Sequence, residues 1–427
     1  MNEYSKLRIA IVVHGRFHAF DLLKALSARP DVDVQLLTNY RASECAKFGI
    51  APALVSSFFV HRMLQAFLNR VAPWFFPLWM ERYLCEIFGA WAANRLARQA
   101  HKPHLIRVFS GVAEEILLDP RLQACKKVLT RGSSHISTQY TLLHEEEIRA
   151  RTILAELADS AAQKINKPKI NKPKINKPSA WMMARELREY QLSDAVLVLS
   201  QFAEKSFLQH GFDPQRLMTI PNAVNLSWFA ADAATMQARE QRLRSGAPLR
   251  VLMVGSFSFR KGIIDFANVV KHFKSSHLKR NMQFRFVGDM PTEGLAIQAM
   301  LLPDVEFRER IAPQQLAQEY AWGDVFLFPT IEDGFPAVLS QALAAGLCVI
   351  TTPNGSGPDL IRNAEQGWIV EARDTQAMIN CLETLDQDRE LLLRCAHAAH
   401  ASIAERSWDD VAADFVASVK AKWTFDN

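Results

Sequence analysis

An acidic turn that runs directly into a helix is the feature of this sequence best suited to holding a ligand. Glu332 and Asp333 precede Gly334, and Gln341 follows Asp333 by eight positions. Eight residues span roughly 12 Å along an α-helix, so Asp333 and Gln341 can contact separate parts of one long molecule, such as a sugar and a ribose joined through a diphosphate. Taken alone, the turn is equally well explained as an ordinary helix start with Asp333 as its N-cap.

The residues around the acidic turn (residues 332–336) predict the order strand, turn, helix, strand. Residues 324–329 and 348–352 are largely apolar runs, typical of buried parallel strands. Ligands bind at the carboxyl ends of such strands. Pro336 suits the first turn of the helix, and Gly334 lets backbone amides approach an anion or a hydroxyl closely.

A basic turn (residues 255–262) supplies positive charge after another predicted strand, residues 249–255. It contains Ser256, Arg260 and Lys261. A lysine at the junction of a strand and a helix can neutralise a diphosphate, while the amino end of the helix adds free amides. A solvated basic turn without a ligand is the plainer interpretation.

Two turns in the amino-terminal half also follow predicted strands. Gly15 follows the strand 7–13, and His135 closes a basic, hydroxyl-rich turn after the strand 127–130. The basic, hydroxyl-rich turn that ends at His135 can contact phosphate or sugar. A tight strand-to-helix turn explains Gly15 equally well, however, and a lone histidine is more often a surface residue or one whose hydrogen bonds are satisfied within the protein.

Together these motifs resemble the retaining glycosyltransferases of family 4. That family carries a Glu, then Gly-Phe, then a second Glu eight positions after the first. This sequence keeps Gly334 and Phe335 but has Asp333 and Gln341 at the two Glu positions. Glu332 could take the first position if the register shifts by one. Gln341 can hydrogen-bond ribose hydroxyls but carries no charge, which leaves donor affinity and nucleotide preference open.

The resemblance implies a role for each site residue. The basic turn is similar to the family's Gly-Arg…Lys-Gly diphosphate site, with Ser256 in place of the first Arg. The cations would stabilise the departing diphosphate, the acidic turn and its amides would hold the sugar, and His135 would face the sugar ring or the incipient oxocarbenium ion. The expected catalytic residues are His135, Lys261 and Asp333. The expected donor-binding residues are Gly15, Ser256, Arg260, Lys261, Glu332, Gly334, Phe335, Pro336, Ala337 and Gln341.

The resemblance also implies an α/β fold of the GT-B class, with two facing Rossmann-like domains. The alternation of strand-like and helix-like segments independently predicts α/β domains. We expect an acceptor-side domain over residues 1–222, with a basic repeat insertion at 164–178. A nucleotide-sugar-binding domain over 223–405 and a carboxyl-terminal helix over 406–427, which returns to the first domain, complete the prediction.

The reaction implied is transfer of a hexosyl group, with retention, from a UDP- or GDP-sugar to a glycan or lipid-linked acceptor, as in polysaccharide biosynthesis. No metal cofactor is expected, because the two Asp-x-Asp motifs, at 31–33 and 386–388, lie outside the donor site. Two alternatives remain open at this point. One is a nucleotide-sugar epimerase of the same architecture, and the other is a nucleotide-sugar-binding module without catalysis.

Composition is compatible with these expectations. The 427 residues suffice for two domains, and the net charge of +5 suits anionic donors or a membrane surface but is too small to indicate nucleic acid. The six cysteines lack C-x-x-C spacing, which argues against a zinc site or a disulfide framework. No signal peptide or transmembrane run is recognised, so we expect a cytoplasmic protein, with peripheral contact at the inner face of the membrane left open.

Two segments allow more than one interpretation. Residues 58–79 are apolar and aromatic with basic residues between, which fits an interfacial membrane helix or, in preference, a buried helix pair. Residues 165–178 repeat Ile-Asn-Lys-Pro with period five, and proline at this spacing forbids a continuous helix. We favour a neutral surface expansion there over contact with anionic lipid.

Overall fold

The computed structural model describes residues 6–71, 78–161, 175, 177–275, 282–403 and 406–425. Its first sheet has the order β3-β2-β1-β4-β5-β6-β7, and every neighbouring pair is parallel. These strands are β1 (Leu7–Val13), β2 (Val32–Thr38), β3 (Val55–Ser57), β4 (Leu105–Phe109), β5 (Lys126–Thr130), β6 (Ala195–Val198) and β7 (Leu217–Thr219).

A second parallel sheet has the order β10-β9-β8-β11-β12-β13. Its strands are β8 (Leu249–Ser256), β9 (Met282–Asp289), β10 (Val305–Arg308), β11 (Val325–Phe328), β12 (Cys348–Thr351) and β13 (Gly367–Ile369). Two parallel sheets, each forming its own domain, confirm the predicted fold class. The exact domain boundaries stay a prediction.

Helices cover both faces of each sheet. In the first half they are α1 (Ala19–Ser27), α2 (Ala42–Ala46), α3 (Phe59–Val71), α4 (Leu78–Ala97), α5 (Glu114–Leu118), α6 (Ile136–Ala161), α7 (Ala180–Leu192) and α8 (Gln201–Gln209). In the second half they are α9 (Ala233–Arg244), α10 (Ile263–Ser275), α11 (Leu295–Leu301), α12 (Pro313–Trp322), α13 (Ala337–Ala344), α14 (Gly357–Leu360), α15 (Thr375–Gln387), α16 (Arg389–Ser402) and α17 (Trp408–Lys422).

Strand β1 shows why the sheets need helices on both sides. Ile9 and Ile11 pack into one apolar cluster, while Ala10 and Val12 pack into another on the opposite face. Successive side chains of a strand point to opposite faces, so a strand that is apolar throughout must be covered twice. The sequence of β1 therefore requires a central position in the sheet, and that position places the turn after it at the carboxyl edge.

The last helix, α17, returns to the first domain. It begins with a capping box in which Ser407 and Asp410 bond each other's backbone amides. Phe415 and Val419 are fully buried in the same apolar cluster as Ile11. Burial of this apolar stripe fixes the helix against α1 and the first sheet, in agreement with the predicted crossover.

Helix α6 of the first half lies along the second domain. Leu143 and Leu154 pack in the apolar cluster that contains Phe266 of α10. On the same side, both Nη atoms of Arg149 donate to the Asp265 carboxylate at 2.6 and 2.7 Å, and the Asp265 side chain is fully buried. The two domains are thus held together by apolar packing and by a buried bidentate ion pair.

The two ambiguous segments are described only in part. Residues 72–77 lie outside the described residues, and the neighbouring α3 exposes Val60, Met63 and Phe67. Of the repeat, residues 164–174 and 176 lie outside the described residues, whereas Ile175 is buried in the cluster around α6. Within the part of the chain that the structure covers, no helix is both long enough and apolar enough to cross a membrane.

Candidate active site

Lys261 and Asp333 meet at the carboxyl edge of the second sheet. Gly262, with φ of 75°, takes the left-handed conformation that ends the basic turn, and a Cβ there would lie 1.8 Å from the Pro329 carbonyl oxygen. This close approach brings the turn after β8 against the end of β11. As a result, Lys261 Nζ forms an ion pair with Asp333, and the two side chains are 17% and 16% exposed.

The charge of Lys261 controls the ionisation of Asp333. Burial alone would raise the pKa of the Asp333 carboxyl, but the neighbouring charges of Lys261 and Arg260 outweigh it and hold the pKa below its usual range. Asp333 is therefore an anion at neutral pH. The predicted pair of sugar-binding and diphosphate-binding side chains is brought into direct contact.

Glu332, the other acid of the turn, points into the domain interface and is fully buried. Its Oε1 accepts from the amide and the hydroxyl of Ser134 at 3.0 and 2.9 Å, and its Oε2 accepts from Gln139 Nε2 at 3.0 Å. Arg260 Nη2 lies 2.9 Å from the same carboxylate. Burial would raise the pKa of Glu332, but Arg260 and the Ser134 amide hold it below its usual range.

Gly334 lies where the backbones of the two domains approach each other closely. A Cβ on Gly334 would lie 2.0 Å from the Gly132 carbonyl oxygen and 2.9 Å from Ser133 Cα. Arg260 Nη2 also donates to Ser133 Oγ at 3.1 Å across the same junction. The acidic turn is therefore packed against the turn after β5, and glycine at 334 is required by this contact.

The remaining residues of the acidic turn lead into α13. Pro336 is the N-cap of α13, and the exposed Ala337 is its first residue. Phe335 is half-buried and packs against the apolar cluster of the first domain. The backbone amide of Asp333 donates to the Asn354 carbonyl at 2.9 Å, so a hydrogen bond joins the acidic turn to the loop after β12.

A cavity of about 660 Å³ lies at the carboxyl ends of β8, β9 and β10. Helix α13 connects it to the acidic turn, because Gln341 lines the cavity from the second turn of that helix. Gln341 Oε1 accepts from the hydroxyl of the fully buried Tyr320 at 2.9 Å. The lining combines aromatic and polar groups, among them Trp228, Phe229, Ser256, Asp289, Arg310 and Gln341.

His135 lies in a different environment. Its ring stacks on His210 at a centroid distance of 4.1 Å and packs against Tyr190 and Phe207. Burial, together with the nearby His210 and Arg131, lowers the pKa of His135 to about 3. The recorded contacts of this ring lie within the first domain, and the predicted contact with a sugar is not tested by them.

Gly15 occupies the predicted turn between β1 and α1. Its φ of 141° is one that residues with a side chain rarely adopt, and a Cβ there would meet the Phe17 ring at 2.9 Å. Its carbonyl accepts from Thr38 Oγ1 at 3.4 Å. The turn conformation accounts for this glycine, and its role towards a ligand stays a prediction.

Sequence reasoning missed three polar partners of the site, Ser134, Gln139 and Tyr320. Ser134 stands beside His135 in a turn that was already of interest, and Gln139 follows one helical turn later, so a search for polar residues after β5 could have found both. Tyr320 lies on the buried face of α12 and gives no signal in the sequence. In the described residues no group of three or more His, Cys, Asp or Glu side chains is arranged to hold a metal ion.

Known proteins similar to this chain are glycosyltransferases. Residues 248–388 match the family model described as glycosyl transferases group 1, which confirms the resemblance predicted from the sequence. The chain is 26% identical over 185 residues to the UDP-Gal:alpha-D-GlcNAc-diphosphoundecaprenol alpha-1,3-galactosyltransferase of Escherichia coli, covering 42% of this chain and 47% of that protein. It is 26% identical over 240 residues to sulfoquinovosyl transferase SQD2 of Arabidopsis thaliana, covering 53% and 44%. The chain thus spans about half the length of the curated relatives it matches.

Solved structures agree over nearly the whole chain. Sucrose-phosphate synthase from Thermosynechococcus elongatus superposes with a TM-score of 0.67 at 18% identity, covering 97% of this chain and 99% of that one. HepE of Anabaena, in complex with UDP-glucose, gives 0.58 at 14% identity, covering 97% and 98%. At these identities the likeness establishes the fold alone.

Proposed function

We propose, from the match of residues 248–388 to the family model of group 1 glycosyl transferases, that this protein transfers a hexosyl group from a nucleotide-sugar donor to a glycan or lipid-linked acceptor, with retention. One observation carries the proposal. The acidic turn, in which Asp333 pairs with Lys261, leads directly into helix α13, and Gln341 of that helix lines the cavity. A nucleoside in that cavity would place its diphosphate near Lys261 and its sugar near Asp333.

Lys261 and Asp333 would exchange partners when the donor binds. Their ion pair is partly accessible, so an arriving diphosphate can approach Lys261 while Asp333 turns to accept hydrogen bonds from sugar hydroxyls. As the bond to the sugar breaks, negative charge grows on the diphosphate, and a fixed ammonium group stabilises it. Removal of one such contact costs about a hundredfold or more in rate.

The two acids of the turn would have separate tasks. Both carboxylate oxygens of Glu332 already accept hydrogen bonds from Ser134, Gln139 and Arg260 within a buried interface. Asp333 has the accessible carboxylate, so we assign the sugar contact to Asp333 and the domain contact to Glu332. Arg260 is bound to Glu332 and Ser133, and it would act on the diphosphate mainly through its charge.

Positive charge from the protein would take the place of a metal ion at the diphosphate. Lys261 and Arg260 supply that charge where the leaving group forms. The prediction is activity that persists in EDTA. Activity that returns only when Mg²⁺ or Mn²⁺ is added would contradict it.

We infer the class of donor and acceptor from the names of the similar proteins. A UDP-sugar is favoured because the E. coli relative is named for UDP-Gal and HepE was solved with UDP-glucose. A lipid-linked acceptor is favoured because the same relative is named for a diphosphoundecaprenol acceptor. Peripheral membrane contact through Val60, Met63 and Phe67 of α3 would suit such an acceptor, since these exposed apolar side chains share one helical stripe.

The test is turnover by purified protein with Lys261→Ala and a matched control. Lys271→Ala removes an exposed lysine from the following helix and should leave turnover unchanged. Lys261→Ala should lower turnover by about a hundredfold or more. Wild-type turnover by Lys261→Ala would refute the assignment. Product formed without an acceptor would indicate the epimerase, and binding of a donor without transfer or hydrolysis would indicate the binding module.

A further inference from the structure

Gln341 presents a hydrogen-bond donor to the cavity. Its Oε1 accepts from Tyr320, whose hydroxyl is fully buried and needs an acceptor. Reversal of the amide would direct the NH₂ group towards Tyr320 and leave the hydroxyl proton without that acceptor. The orientation is therefore fixed, with Oε1 towards Tyr320 and Nε2 available to the cavity.

Other side-chain acceptors at the cavity are few. Asn225 Oδ1 already accepts from the amide and the hydroxyl of Ser227, at 3.1 and 2.7 Å. Among the described residues that line the cavity, Asp289 is the one carboxylate, and it stands 3.8 Å from Arg310 with both side chains largely exposed. The wall formed by α13 thus offers an amide NH₂ group and no free carboxylate.

This chemistry bears on how a sugar ring of a nucleoside is recognised. The adjacent 2′- and 3′-hydroxyls of ribose each carry a proton, and a carboxylate can accept both in a bidentate arrangement. A single amide NH₂ group can only donate, and a hydroxyl oxygen that accepts from it gains one neutral hydrogen bond. A neutral hydrogen bond is worth about two- to tenfold in affinity, whereas one to a charged group is worth about ten- to a hundredfold.

We propose that the cavity binds nucleoside diphosphates with little dependence on the 2′-hydroxyl. Both 2′-deoxyribonucleoside diphosphate sugars and their ribose counterparts would then serve as donors. The proposal rests on the proposed function, because it takes the cavity to be the nucleoside site. It assigns to Tyr320 the role of a specificity-determining residue that acts through Gln341.

The experiment compares UDP with dUDP, which differ only in the 2′-hydroxyl, by isothermal titration calorimetry on the wild type, Gln341→Glu and Tyr320→Phe. The wild type should bind the two nucleotides within about tenfold. Gln341→Glu keeps an acceptor for Tyr320 and turns the donating NH₂ into an accepting oxygen, so its preference for UDP should rise about tenfold or more. Tyr320→Phe frees Gln341 Oε1 to rotate towards the ribose. It should raise the preference for UDP over dUDP by less than Gln341→Glu does.

The outcomes separate this inference from the proposed function. A wild type that binds UDP far more than tenfold better than dUDP, or a Gln341→Glu protein with an unchanged ratio, overturns the inference and leaves the proposed function standing. Turnover with matched UDP- and dUDP-sugars at similar kcat/KM supports it independently. Failure of the wild type to bind either nucleotide overturns the inference and the choice of a UDP-sugar as the donor.

Discussion

Replacement of Gly334 by alanine should force the two domains apart at the acidic turn. The added Cβ would lie 2.0 Å from the Gly132 carbonyl oxygen, 2.6 Å from its carbonyl carbon and 2.9 Å from Ser133 Cα. All three atoms belong to the backbone, so no flexible side chain can move aside. The two turns must separate by about 1 Å or more before the Cβ meets an ordinary van der Waals distance.

That separation is large compared with the hydrogen bonds it would stretch. Glu332 accepts from the Ser134 amide at 3.0 Å and from its hydroxyl at 2.9 Å, and about 1 Å of movement takes both beyond hydrogen-bond range. Glu332 would keep its ion pair with Arg260 of the same domain but would lose two hydrogen bonds to its charged carboxylate, each worth about 1.5 to 3 kcal/mol. If turnover requires the two turns in contact, the rate should fall about a hundredfold or more.

UDP affinity and kcat are measured separately for the Gly334→Ala protein. The cavity is built from residues 224–341, so UDP affinity of Gly334→Ala should stay within about threefold of the wild type while kcat falls. Gly355→Ala is the matched control, because a Cβ there meets nothing closer than 3.5 Å. Urea titration should show a lower free energy of unfolding for Gly334→Ala, by about 3 kcal/mol, and little change for Gly355→Ala. Equal turnover and equal stability of the two variants would refute the steric argument.

Three further outcomes are expected. Glu332→Gln should lower the free energy of unfolding by about 3 kcal/mol in urea titrations, because the new NH₂ group would face hydrogen-bond donors. The pKa of Glu332 lies below its ordinary value of 4.5. The difference in stability should therefore be present above pH 4.5 and be lost as the pH falls through the folded-state pKa. Arg149→Ala should cost about 3 kcal/mol by leaving the buried Asp265 carboxylate unpaired, whereas Arg151→Ala, with an exposed arginine, should cost under about 1 kcal/mol. With its pKa near 3, His135 should show no NMR titration between about pH 5 and 8, and a midpoint in that range would contradict the packed environment.

The sheets could be predicted from the sequence wherever a strand is buried on both faces. Such strands appear as apolar runs, and ten predicted strands agree with β1, β2, β4 to β6 and β8 to β12 within two residues at each end. The predicted bounds are 7–13, 32–38, 104–109, 127–130, 195–200, 249–255, 283–288, 305–310, 324–329 and 348–352. The three that were missed, β3, β7 and β13, have three residues each and lie at sheet edges. A strand of three residues is too short to show an alternating pattern in the sequence.

The proximity of Lys261 and Asp333 could be predicted because the resemblance assigned both residues to one donor site, at the ends of predicted strands. Each residue follows a strand of the second sheet, and β8 and β11 are neighbours in that sheet. The partners of Glu332 could not be predicted in the same way. Ser134 and Gln139 belong to the other domain, and the relative placement of two domains depends on surface packing along α6, which leaves no periodic pattern in the sequence.

The choice between Glu332 and Asp333 as the sugar-binding acid follows from solvation. Two acids and two cations meet at this junction, so an incoming diphosphate must displace one carboxylate from its cation. Asp333 is 16% exposed and can be resolvated as Lys261 turns to the new anion, whereas the Glu332 side chain is fully buried and would lose hydrogen bonds from both domains. Displacement of a buried charge costs several kcal/mol more than that of a hydrated one. Exchange should therefore occur at Asp333, with Glu332 holding the domains in place as the donor binds.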